Sequence, residues 1–206
     1  MKTIGILGTG RLGCHMASTW AASGHTVVLG SRDAAKAQHI VNQILSPQGY
    51  KGDGGVNTPP FSGSDQAKLT GADYQTAAQA DIVVLATPFP VTVEIIRSLK
   101  PYLSGKIVID STNPFYSGTG LPAGQPYDSA VEYHRSVLND ESASWATGYK
   151  TIYWTKIVPG GTGSFDTCGD AEAKAAVVDL AKSHGFTASD RGGFEQAAGL
   201  EPGRRR

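Results

Sequence analysis

Long apolar runs are missing from this 206-residue chain, and so is any excess of charge, since 18 basic residues balance 18 acidic ones. No stretch reaches the length of a membrane helix, and the balanced charge leaves no polybasic surface for nucleic acid or anionic lipid. The basic run Arg204-Arg205-Arg206 is too short to change this. Cysteine is scarce as well. Cys14 and Cys168 stand far apart without metal-ligand spacing, which points to a reduced, cytoplasmic chain with no metal. Met1-Lys2 leads straight into a strand pattern, with no room for a signal peptide. Also lacking are a G-x-S-x-G elbow, a Walker loop, a metal-binding H-E-x-x-H and a C-x-x-C pair. His15, His25, His39, His134 and His184 are scattered, as are the carboxylates, and read as surface or internally satisfied groups rather than catalytic bases.

What is present is an alternation of short β-branched apolar runs with Ala-rich segments of helical period, which predicts an α/β fold: a Rossmann-type doubly wound parallel sheet. Strands are expected at 3–7, 26–29, 81–87 ("DIVVLAT") and 106–110, at 150–158 ("KTIYWTKIV") and at 186–189. Helices are expected at 11–23, 33–45, 74–79, 91–99, 129–139 and 171–184. Asp33 should cap the second helix, and Pro101 should end the fourth. The stretch 46–64 carries so much Gly, Pro and Ser that it reads as a long irregular excursion, and 115–128 reads as a loop. The domain reading is 1–150 as the dinucleotide-binding part and 151–206 as a small C-terminal α/β extension packed on the sheet.

Gly8-Thr9-Gly10-Arg11-Leu12-Gly13 matches G-x-G-x-x-G, and it sits where the mechanism requires, after a strand and at the start of a helix. Gly8 allows the tight turn, Gly10 the approach of a pyrophosphate and Gly13 close helix packing, while amides at the helix start hold the anion. The second strand then ends in Ser31-Arg32, where an NAD-binding chain presents a carboxylate to the ribose 2′-hydroxyl. A hydroxyl and a guanidinium instead offer donors to a 2′-phosphate, and Lys36, one turn on, adds charge. NADP(H) is therefore favoured over NAD. Ala86-Thr87-Pro88 and Asn113-Pro114 close two consecutive buried strands, whose ends border the ligand crevice in such a sheet, so both turns should line the nicotinamide half.

Taken in order, "ILGTGRLG", "GSRDAAKA", "DIVVLATP", "GKIVIDSTNP", "SAVEYH", "CGDAEAKAAVVDLAKSHGF" and "DRGGFE" resemble the NADPH-dependent coenzyme F420 reductases, and also the NADPH-binding domain of membrane ferric reductases. The resemblance implies a Rossmann domain with a small C-terminal domain, usually a homodimer, and hydride transfer between NADP(H) and a deazaflavin lying between the two parts. It implies NADP contacts from Thr9, Arg11, Leu12, Ser31, Arg32 and Lys36, with Thr87-Pro88 near the nicotinamide. The departures fall on the acceptor side. The 46–64 excursion is longer than usual, Lys156 stands where similar relatives often have His or Asn facing the second substrate, and Ala198 stands where Arg is common.

The leading expectation is an NADPH-dependent oxidoreductase whose small-molecule redox partner is F420 or another flavin-like acceptor, with Lys156 on the substrate side. Hydride exchange between two redox cofactors needs alignment more than an acid-base pair, in keeping with the lack of an evident one. Two readings compete with it. One is reduction of a small imine or carbonyl compound, and the other is a non-enzymatic NADP(H) sensor that kept only the dinucleotide site.

Overall fold

A computed structural model describes residues 2–52, 56–61, 68–115 and 120–203. Its centre is a six-stranded sheet built from β1 (Thr3–Leu7), β2 (Thr26–Ser31), β5 (Leu69–Asp73), β6 (Ile82–Leu85), β7 (Ile107–Asp110) and β8 (Ser144–Thr147). The spatial order is β5-β2-β1-β6-β7-β8, and every pairing is parallel. Successive side chains of a strand point to opposite faces, so Ile4 and Ile6 of β1 enter one core and Leu7 the other. The first core is covered by α1 (Arg11–Ala22), α2 (Ala34–Ile44) and α6 (Ala171–Ser183). The second is covered by α3 (Tyr74–Ala77), α4 (Phe89–Leu103) and α5 (Ala130–Leu138). Strand order reverses between β1 and β6, which places the ligand crevice of such a sheet at their C-terminal ends.

Several elements differ from the sequence expectation, each for a local reason. Residues 150–158 form no strand. They leave the sheet after β8 and make one 3-10 turn at Trp154–Lys156. Their apolar side chains serve docking on α1 instead, where Thr19 Oγ1 donates to the Ile157 carbonyl (3.0 Å) and His15 Nδ1 lies 3.2 Å from it. Helix α4 runs through Pro101 to Leu103, because the bond that proline cannot donate falls on the exposed Arg97 in the last turns. Strands β5 ("LTGAD") and β8 ("SWAT") are sheet edges too short and polar to announce themselves, and "GSFDT", outside the expected strands, is β9 (Gly163–Thr167).

Strand β9 pairs in parallel with β10 (Phe186–Asp190) through the crossover helix α6, and α6 lies against β7 and β8. A bridge from Ala146 to Gly169 ties this unit to the main sheet. In the 46–64 excursion, β3 (Lys51–Gly52) pairs with β4 (Val56–Asn57) as a minimal antiparallel hairpin. His15 Nε2 reaches the Asn57 carbonyl at 2.7 Å and holds this hairpin near α1. Residues 53–55 and 62–64 of the excursion, 116–119 of the predicted 115–128 loop, and Arg204-Arg205-Arg206 lie outside the described residues. Among the described residues no helix is long and apolar enough to cross a membrane, and no group of three or more potential metal ligands occurs.

Candidate dinucleotide and acceptor site

The β1-to-α1 turn is built by its glycines. Gly8 has φ +133°, a conformation side chains resist, and a Cβ there would sit 2.5 Å from the Ala86 carbonyl oxygen at the end of β6. A Cβ on Gly13 would sit 2.0 Å from the Gly8 carbonyl oxygen, so helix and turn touch backbone to backbone. Gly10 is the opposite case. Its Cβ would meet nothing within 4 Å, which leaves open space in front of the helix start. No side chain caps α1, and its first turn has no acidic residue, so the positive end of the helix faces that space. Cys14 donates its thiol to the Thr9 carbonyl (3.3 Å), and burial pushes that thiol up to about 12, so it braces the turn as an inert group.

At the end of β2, Ser31 is buried and its hydroxyl accepts from the Asp33 amide at 3.4 Å. Arg32 and Lys36 are exposed. The Asp33 carboxylate beside them is turned into α2, accepting from the amides of Ala35 and Lys36. Asp73, in register with Ser31 on the neighbouring strand, is likewise turned into a helix cap, accepting from the Thr76 amide (2.7 Å), so both acids at this edge are engaged while Arg32 and Lys36 face outward.

The other half of the crevice is a cavity of about 550 Å³ lined by Arg11, Leu12, Pro88, Ser111, Asn113 and Pro202, together with the segment Tyr149 to Trp154. Four residues picked out from the sequence, Arg11, Leu12, Pro88 and Asn113, thus meet around one space. Thr87 turns its hydroxyl to Thr92 (2.7 Å), fixing the start of α4, and Ala86 and Pro114 belong to the turns behind the wall. Asn113 donates to the Pro202 carbonyl (2.9 Å) and accepts from the Phe115 amide (3.0 Å), so it joins the β7 turn to the C-terminal segment. Lys156 is exposed on the 3-10 turn and does not line this cavity.

The outer wall is aromatic. Tyr153, 56% exposed, stacks on Trp154 at 5.7 Å between centroids, and the Arg11 guanidinium lies 5.5 Å from the Trp154 ring. Tyr149 enters the wall with φ +61°, a costly conformation for a bulky residue, stored next to the cavity.

Sequence reasoning missed the charged group behind this wall. Asp110, His134, Lys150 and Glu201 are all buried. His134 Nδ1 donates to Asp110 Oδ2 (2.9 Å), and the Thr112 amide donates to Asp110 Oδ1 (2.8 Å). Lys150 Nζ donates to Glu201 Oε1 (3.0 Å) and lies 3.6 Å from Asp110 Oδ1. Burial would raise the Asp110 carboxyl, but Lys150 and His134 outweigh it and hold the group well below the usual carboxylate range. Burial would likewise lower the Lys150 ammonium, and the two carboxylates raise it instead. The only sequence signal was an acid at the end of an apolar strand, "KIVIDS", which is an expensive place for a carboxylate.

Comparison with known proteins adds identity to this geometry. Residues 3–114 match the family model described as NADP oxidoreductase coenzyme F420-dependent. The chain is 29% identical to the F420-dependent NADP reductase of Methanothermobacter marburgensis, over 98% of this chain and 88% of that protein. A crystal structure from Arthrobacter sp. FB24, of a candidate F420-dependent NADP-reductase, superposes with a TM-score of 0.69 at 27% identity, covering 97% of this chain and 88% of that one. An imine reductase from Myxococcus stipitatus shares the fold, with a TM-score of 0.66 at 14% identity, but this chain, 96% of which is covered, spans 57% of its length.

Proposed function

The chain belongs to the coenzyme F420-dependent NADP oxidoreductases, and on that premise we propose that it moves a hydride between NADPH and the deazaflavin F420. One observation carries the reading: the first residues of the helix behind the phosphate turn, Arg11 and Leu12, share a cavity with Pro88, Asn113 and the 149–154 segment. A dinucleotide anchored at the turn therefore extends into the same space that an acceptor ring enters.

The open ground before Gly10 and the uncapped α1 fit a pyrophosphate. Ser31, Arg32 and Lys36 select the 2′-phosphate, and Gly8 to Gly13 with Thr9 hold the diphosphate. Ala86, Thr87, Pro88, Asn113 and Pro114 shape the nicotinamide end. NADPH supplies the hydride, and reduction of a deazaflavin takes up that hydride and one proton. Pro88, Asn113, Tyr153 and Trp154 align the two rings and shield them from water, which is the main requirement of such a transfer. Residues 151–206 are the acceptor-side part, a division supported by the place of Thr151 to Trp154 and Pro202 in the cavity wall. Lys156 stands at the outer approach. A cytoplasmic location is supported by two free, buried cysteines, and a homodimer by family resemblance.

The test is a titration with NADPH and NADH followed by turnover with F420 and with free flavins. Arg32→Ala should cost NADPH about 1–3 kcal/mol of binding, the worth of a charge-assisted hydrogen bond, and leave NADH nearly unchanged. Equal loss for both cofactors would sink the assignment of the 2′-phosphate site. Tight NADPH binding without turnover on F420 or flavins would sink the proposed acceptor.

A further inference from the structure

Nothing in hydride transfer itself calls for the buried Asp110–Lys150–Glu201 group, yet burying it carries a large desolvation cost. Two carboxylates and an ammonium leave water together, and such a group is no more stable than a well-packed apolar one of the same volume. Its geometry suggests another use. Glu201 Oε1 accepts from two parts of the chain at once, from Lys150 Nζ after β8 (3.0 Å) and from the Ala130 amide at the start of α5 (2.8 Å). The next residue, Pro202, is held by Asn113 and lines the cavity. Gly203 then lies 3.5 Å, measured from an added Cβ, from the Phe115 carbonyl. Among the described residues, those after the 3-10 helix Phe194–Leu200 belong to no helix or strand that would seat them. The charge group supplies the seat.

We propose that Glu201 is a positioning residue: clasped by Lys150 and the Ala130 amide, it holds Pro202 and the 111–115 turn in register as the inner wall of the acceptor end of the cavity. The proposal rests on the reading that the acceptor occupies this cavity. Directional bonds do here what apolar packing cannot. A Leu at 201 could slide along its neighbours, whereas a carboxylate oxygen shared by two fixed donors has one position. Asp110 anchors the other end, since it fixes Lys150 and also accepts from the Thr112 amide in the turn that carries Ser111 and Asn113. Both sides of the wall are thereby referred to one ammonium group.

The experiment compares the wild type with Glu201→Gln, which keeps an oxygen for both donors but loses the charge, and with Lys150→Met/Glu201→Met, which removes the charged pair and the shared oxygen while keeping the volume. Three quantities are measured: NADPH dissociation constant, KM and kcat for F420, and hydrogen exchange of the Ala130 amide and residues 111–115. Expected in Glu201→Gln is an F420 KM raised about tenfold, kcat and NADPH affinity within about twofold of wild type, and faster exchange at Ala130 and 111–115. The double variant should fold stably and still show the raised KM. Unchanged KM despite faster exchange would overturn the proposal, because the wall would then be irrelevant to the acceptor. Parallel losses in kcat, KM and NADPH affinity would also overturn it, as general loosening. If the wild type binds NADPH but does not turn over F420, the functional reading fails, and unchanged exchange in the variants would independently refute the clasp.

Discussion

At the scale of single residues, burial decides what each titratable group does. His184, buried against Tyr149 and Phe186 with its Nε2 3.0 Å from the Tyr149 hydroxyl, is pushed by burial from 6.5 down to about 4. The folded state thus refuses a proton that the unfolded chain accepts below pH 6.5. The ring's contribution is present in full above pH 6.5, declines as pH falls toward 4, and reaches about 3 kcal/mol of lost stability below that. Denaturant unfolding at pH 7 and pH 4.5 should show the fall, and in His184→Phe it should be smaller by about 2 kcal/mol. An identical fall in both proteins would mean that the ring is already protonated in the fold. The sequence showed five scattered histidines and read them as surface or satisfied groups; His15 is bonded at both ring nitrogens, whereas His134 and His184 are bonded at one and keep Nε2 and Nδ1, respectively, buried without a partner. It gave no hint that His134 would serve a buried carboxylate, because its partner lies 24 positions away.

At the scale of elements, the glycine-rich turn between β1 and α1 was legible because all its parts are neighbours in sequence. Strand, three glycines and helix start fall within residues 3–22, where Gly8 and Gly13 press against backbone and Gly10 faces open space. A sharp contrast follows. Gly10→Ala should leave the melting temperature unchanged, since its Cβ enters open space, yet weaken NADPH by obstructing the diphosphate. Gly13→Ala should instead destabilise the fold by about 3 kcal/mol or more, since its Cβ would strike the Gly8 carbonyl oxygen. Thermal melts with and without NADPH distinguish the two, and equal melting temperatures would refute the packing argument. The segment 150–158 shows where such reading ends. β-branched and aromatic residues suit a strand, but they suit equally a turn packed on α1, and local composition does not say which surface will cover them. Edge strands β5 and β8 were missed for the converse reason, as their pairing is donated by neighbours rather than demanded by their own side chains.

At the scale of the molecule, two lysines six positions apart separate local from global information. Lys156, the one singled out beforehand, is solvated, and Lys156→Ala should change unfolding free energy by no more than about 0.5 kcal/mol. Lys150→Ala strips the ammonium from between Asp110 and Glu201 and should cost about 3–5 kcal/mol, measured by denaturant unfolding near pH 7. A loss comparable to that of Lys156→Ala would mean the group is hydrated and carries no load. The sequence by itself determined the parallel α/β layering, the glycine-rich turn and the basic edge after β2, because periodicity and short motifs are properties of adjacent residues. The tertiary structure alone decided which walls enclose the cavity and which charges stand behind it, since Glu201 meets Lys150 across 51 positions and Ala130 across 71. Such contacts exist only after the sheet has brought β7, β8 and the C-terminal segment to one end, and no local pattern encodes that convergence.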